Sequence, residues 1–195
     1  MISIIGWGSL IWDLEILEPH TIGHWRMEAG PELPLEFARI SPKRKQALAL
    51  CLEANHGTIC KTNVIMSARS DIEAAIADLA ARERAPMEKI GAFCRTSRIC
   101  RGSDLRVVRQ IETWCVTAGW KGAVWTDLEP NFQARLGEPF SVARALTYLR
   151  SLSGASLDEA VRYIELAPAT TNTALRQVLS HEPWWQVEAR RLGLK

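Results

Sequence analysis

The chain has 195 residues, 47% of them hydrophobic and 24% charged, with a formal net charge of +2. These values describe one globular domain with a sizeable core, and they lack the basic excess that marks nucleic-acid binding. No stretch approaches the ~20 apolar residues of a membrane span. The five cysteines, Cys51, Cys60, Cys94, Cys100 and Cys115, are scattered, with no C-x-x-C pair and no signal peptide before them. The expectation is a soluble cytoplasmic protein with reduced thiols and a small-molecule partner, binding neither nucleic acid nor membrane.

Ile2 to Ile5 reads as a short buried strand ended by glycines, in the sequence Gly6-Trp7-Gly8-Ser9-Leu10. After a polar stretch from His20 to Gly30, Pro34 to Ile40 and Gln46 to Leu52 alternate with period two around the basic tip Ser41 to Lys45. That pattern is a hairpin. A further strand is expected over Thr58 to Ser67.

Ser70-Asp71-Ile72-Glu73 fits the S-x-x-E capping box, so a helix is expected from Asp71 to about Arg84. Ile72, Ala75, Ile76 and Leu79 form its apolar stripe, and Glu83 falls on the same stripe. Leu105 to Thr117 and Gly122 to Leu128 read as strands joined by the turn Ala118 to Gly122. From about residue 141 the chain reads as helical. Ser141 to Ser153 ends at Gly154, Ser156 to Glu159 caps a helix reaching about Leu166, and Pro168 separates a last helix over Thr171 to Ser180. The fold class expected is α+β, in a single domain over residues 1–195.

Two features carry chemistry. The Gly6 to Leu10 loop leaves backbone amides at the mouth of a strand, where a carboxylate or a developing oxyanion could be held; the plain alternative is a tight turn. It lacks the second glycine of a G-x-S-x-G nucleophile elbow and the third glycine of a dinucleotide fingerprint. Glu83 is a carboxylate on an apolar face, costly to bury ionised, and is therefore either a general base or a helix-end residue paired with Arg82, Arg84 or Arg39. His20 and His24 have i, i+4 spacing without a zincin pattern, so no metal is expected. Cys94 and Cys100 with His181 are better read as free thiols than as a Cys–His pair. Trp7, Trp12, Trp114, Trp120 and Trp125 either line an aromatic pocket or pack in the core. Trp184 and Trp185 are expected to seal the last helix.

The stretch "IIGWGSLIWD" resembles the N-terminal Y-G-S loop of the gamma-glutamylcyclotransferase-like proteins, in particular the Y-G-S-L-I-W form of the ChaC-type branch. "SDIEAAIADLAARE" is similar to the helix that ends in Arg-Glu in that family and carries its catalytic glutamate. "KGAVW" is similar to a G-V-x-[WY] strand of the fold. The resemblance covers about the first 85 residues and implies a small mixed β-barrel-like sheet with packed helices. It also implies release of 5-oxoproline from a gamma-glutamyl amine or peptide, without a cofactor.

In that reaction the substrate's alpha-amine attacks its own gamma-carbonyl, and Glu83 moves the proton while Trp7, Gly8, Ser9 and Leu10 form the substrate-binding loop. Trp7 replaces the usual tyrosine, and Arg84-Ala85-Pro86-Met87 replaces the Lys-Gly-Gly-Tyr stretch of the ChaC branch. Glutathione specificity is therefore not carried over. A carboxylate-binding module without catalysis, and an amidohydrolase using water, are the alternatives.

Overall fold

A computed structural model describes residues 1–195. Strand β1 (Ile2–Gly6) is followed by β2 (Thr21–Arg26), β3 (Glu32–Ser41), β4 (Ala47–Leu52), β5 (Thr58–Lys61) and β6 (Asn63–Ser67). Helix α1 (Ile72–Glu83), β7 (Ile90–Cys94), β8 (Ile99–Arg101), α2 (Leu105–Thr117) and β9 (Gly122–Thr126) come next. The remainder is helical: α3 (Phe132–Leu136), α4 (Val142–Ser151), α5 (Gly154–Leu166), α6 (Ala174–Leu179) and α7 (Pro183–Arg191). The fold is α+β, with a mixed sheet and helices. Its packing forms two units, one of Met1–Leu33 with Lys61–Leu128, the other of Pro34–Cys60 with Glu129–Lys195.

The first unit is built on a six-stranded sheet of order β2-β6-β1-β9-β7-β8. β1 lies inside it, antiparallel to β6 and parallel to β9. Because side chains alternate across a strand, Ile2 and Ile4 face α1 and pack with Ile72, Ala75, Ile76 and Leu79. Ile5 is in register with Trp125 on the other face, where Trp125 and Val108 of α2 both close over Gly102. A Cβ on Gly91 would lie 2.1 Å from the Trp125 indole, so only glycine lets that fully buried ring lie flat on the sheet. β2 and β8 are edges. The sheet is therefore open, and the expected barrel-like closure is not made by strand pairing.

The second unit has a three-stranded sheet of order β4-β3-β5 and helices α3 to α7. The β3–β4 hairpin forms as expected, turning through Pro42–Arg44 and a left-handed Lys45. Tyr163 of α5 meets Phe37 edge-on at 6.2 Å and accepts the Leu50 amide. Trp185 of α7 is fully buried and donates to Glu165 at 2.6 Å. Buried Glu36 accepts the amides of Phe37 and Leu175, joining β3 to the first turn of α6. Burial pushes its carboxyl above the usual range, against the hydrogen bonds from Thr173 and the backbone.

Several expectations are corrected. Leu105–Thr117 is a helix, not a strand: Val107, Val108, Ile111 and Cys115 are its buried residues, a helical spacing that its β-branched content obscures. Thr58 to Ser67 is two strands, because the chain leaves one sheet at Lys61 and enters the other at Asn63. The cap of α1 is Asp71, which accepts the Ala74 amide, and not Ser70. Gly154 opens α5 at φ 52 instead of closing α4, and Ser156 lies inside that helix. β2, β7, β8, α3 and α7 come in addition to the expected elements.

Candidate active site

Leaving the centre of the sheet, β1 ends at Gly6, where a Cβ would collide with the Trp25 ring at 2.6 Å. Trp7 is buried, Gly8 adopts φ −128° and ψ −134°, and Ser9–Ile11 forms a single 3-10 turn. Ser9 anchors this turn. Its carbonyl accepts the amides of Trp12 and Asp13 at 3.2 and 2.9 Å. The amides of Ser9 and Leu10 enter the turn, where helical geometry leaves donors without an intrahelical acceptor.

α1 delivers its last turn to the same place. Its end is a Schellman motif, with the Ala85 amide on the Ala80 carbonyl and the Arg84 amide on that of Ala81, both at 3.1 Å. Arg84 holds the left-handed position at φ 52. The next chain segment therefore turns away sharply, and Arg82 and Glu83 are left at the helix terminus.

Arg82 joins the two motifs. Its side chain is 1% exposed, with Nη2 donating to the Asp13 carbonyl at 2.6 Å and to Ser9 Oγ at 3.4 Å. Nη1 donates to Glu83 Oε1 at 3.2 Å. Ser9 and Glu83 are thus separated by the width of one guanidinium. Glu83 is 14% exposed, an ion-paired carboxylate in place rather than a solvated helix-end residue. Exposed Arg84 adds a second tie from the helix end to the loop, at 3.3 Å from Glu15.

Of the expected site residues, Ser9, Glu83 and the turn containing Leu10 are brought together; Leu10 itself packs into the core beneath α1. The helix-end pairing of Glu83 with Arg82 is present. Arg82 is the residue that the apolar stripe did not single out, although it stands three positions after Leu79 and seven after Ala75, a spacing compatible with the buried face. A basic residue in the last turn is ordinarily assigned to solvent and to the helix dipole. Here it is the most deeply buried charge of the unit.

The other candidates lie apart from this arrangement. Trp114 and Trp120 stack on one another at 6.3 Å, with Trp114 donating to the Ala29 carbonyl, and Trp125 packs under Gly91. These tryptophans serve separate packing roles. His20 lies beside Arg69 and Asp78, while His24 is exposed on β2. No group of three or more His, Cys, Asp or Glu residues is arranged to hold a metal. Cys94 and Cys100 lie on the paired strands β7 and β8, and His181 belongs to the second unit. Burial raises the Cys94 thiol, but hydrogen bonds from Ser97 and Thr96 outweigh it and bring the pKa down to about 7. No helix is long and apolar enough to cross a membrane.

Comparison of the chain with protein-family models, curated proteins and solved structures finds no match.

Proposed function

We propose that the protein is a gamma-glutamylcyclotransferase-like enzyme in which Glu83 is the general acid and base. The observation that carries the reading is the buried Arg82 guanidinium, which holds the Glu83 carboxylate beside it and the Ser9 hydroxyl 73 positions before it in the sequence. These are the two motifs on which the family resemblance rests. The gamma-glutamylcyclotransferase-like fold is part of the same proposal.

The chemistry requires little machinery. A gamma-glutamyl compound carries its nucleophile, the alpha-amine, four bonds from the carbonyl carbon it attacks, so that closure gives a five-membered ring. Held in that geometry, ring closure gains about 7–11 kcal/mol over an intermolecular attack. The new C–N bond forms as the bond to the leaving amine breaks. Two protons leave the alpha-nitrogen as ammonium becomes lactam, and the departing nitrogen gains two as amide becomes ammonium. A single carboxylate that ends as it began is sufficient to relay them. Amides of the Gly8 to Leu10 turn steady the developing oxyanion or hold the glutamyl carboxylate. Arg82 is a positioning residue, since it fixes Glu83 against the loop.

The test is product identity. Incubation with a panel of gamma-glutamyl dipeptides, gamma-glutamyl amines and glutathione is expected to yield 5-oxoproline, and Glu83→Gln is expected to lower turnover by roughly 10²–10⁴-fold. Glutamate in place of 5-oxoproline would identify an amidohydrolase. A carboxylate ligand that raises Tm without being consumed would identify a binding module.

A further inference from the structure

The second unit contains a cavity of about 500 Å³, a size typical of small-molecule sites. Three of its lining residues are buried: Phe132, Phe140 and Glu53. The two phenylalanine rings meet edge-on with centroids 5.4 Å apart, and the His56 ring stands 6.3 Å from that of Phe140. His56, Gln133 and Pro139 are exposed and form the rim. The result is a hollow of mixed polarity, with two phenylalanine rings and one acid in its wall and polar residues at its rim.

Glu53 follows β4 in a turn that its backbone holds without help from the charge. Its amide donates to the Pro34 carbonyl and its carbonyl accepts the Gly57 amide, at 2.9 and 2.8 Å. The side chain adds one bond, from the Asn55 amide to Oε1 at 3.0 Å. A neutral amide oxygen would serve that bond equally. Glu53 is only 5% exposed, yet no lysine, arginine or histidine pairs with it. Oε2 takes no hydrogen bond from the protein and is not among the sealed, unsatisfied polar atoms, so it opens onto the cavity that the residue lines.

A carboxylate largely shielded from water by its neighbours is stabilised by a counter-charge, and aromatic rings attract cations to their faces. We propose that this cavity binds a small organic cation, a primary amine carried on an apolar body, with the ammonium on Glu53 and the body against Phe132 and Phe140. Asn55 and Gln133 stand at the mouth, where they can hydrogen-bond a polar substituent.

Phenethylamine and its neutral counterpart 2-phenylethanol are suitable probes, titrated into the full-length protein and followed by amide shifts of residues 53–57 and 130–140. Saturable shifts with phenethylamine are expected, with affinity for the alcohol roughly tenfold weaker. Glu53→Gln keeps an acceptor for Asn55 and is expected to weaken amine binding by a similar factor while leaving the far-UV circular dichroism unchanged. Absence of saturable binding by phenethylamine at millimolar concentration, or equal affinity for amine and alcohol, overturns the proposal. So does a folded Glu53→Gln protein that binds the amine like wild type. Should that variant fail to fold, the amine-to-alcohol comparison in wild type decides alone. None of these residues takes part in the reaction proposed for Glu83, so each proposal stands or falls separately.

Discussion

Arg82 and Ser9 meet through a 3.4 Å contact between guanidinium and hydroxyl, and the same guanidinium holds Glu83. Removal of either charge therefore has different consequences. Arg82→Met leaves the Glu83 carboxylate without its cation and the Asp13 carbonyl without its donor; the expected loss is about 3 kcal/mol of stability. Glu83→Gln keeps an acceptor for Nη1 and is expected to cost no more than about 1–2 kcal/mol, while the turnover proposed for a gamma-glutamyl substrate is expected to fall by roughly 10²–10⁴-fold. Urea unfolding and an activity assay on both variants separate the structural role from the chemical one.

Arg84 occupies the left-handed position of the Schellman motif, where a side chain is strained by about 1–2 kcal/mol. Its pair with Glu15 is exposed and contributes little. Arg84→Gly is therefore expected to raise the unfolding free energy, by up to about 1 kcal/mol. Arg84→Val, β-branched in the same conformation, is expected to lower it. A pair of thermal melts checks both signs.

The cap of α1 gives a direct contrast between neighbours. Asp71→Ala removes the acceptor of the Ala74 amide and is expected to cost about 1 kcal/mol. Ser70→Ala, despite its place in an S-x-x-E sequence, is expected to lie within about 0.5 kcal/mol of wild type. Equal losses at the two positions would assign the cap to the pair instead of to Asp71.

Glu36 makes stability depend on pH. Burial holds its carboxyl above the ordinary value of 4.5, so the native state keeps a proton that the unfolded chain has already lost. Its contribution is fully present below pH 4.5 and declines as pH rises toward the folded-state pKa, above which the loss is complete. Glu36→Gln removes this titration and retains an acceptor for one of the two amides. Urea unfolding at a series of pH values is expected to show a smaller decline above pH 4.5 in the variant than in wild type.

Those parts of the fold whose pattern has one reading were legible in the sequence. β1, the β3–β4 hairpin and α1 combine a clean period with turn or capping residues at their ends. α2 was not, because Val107, Val108, Ile111 and Val116 are β-branched and fit a strand as readily as a helix; Asp104, which accepts the Arg106 amide as N-cap, was the discriminating signal. β2 carries mostly exposed residues, so its pairing with β6 leaves no hydrophobic trace. For the site, helical phase placed Glu83 and glycine spacing placed the Ser9 turn. Arg82 was hidden because its burial depends on acceptors from Ser9 and Asp13, brought to it only by the folded chain.

The position of β1 also bears on how the polypeptide is made. Its two sheet neighbours are β6, some sixty residues away, and β9, whose Gly122 pairs with Ile2. During synthesis β1 emerges before both of these neighbours and waits, with Ile2, Ile4 and Ile5 unpaired, until most of the first unit has left the ribosome. Pairings of such long sequence separation form slowly, and an apolar strand with open edges is prone to intermolecular association in the interval. The same strand that later supports the Ser9 turn is thus a segment of the nascent chain in need of protection.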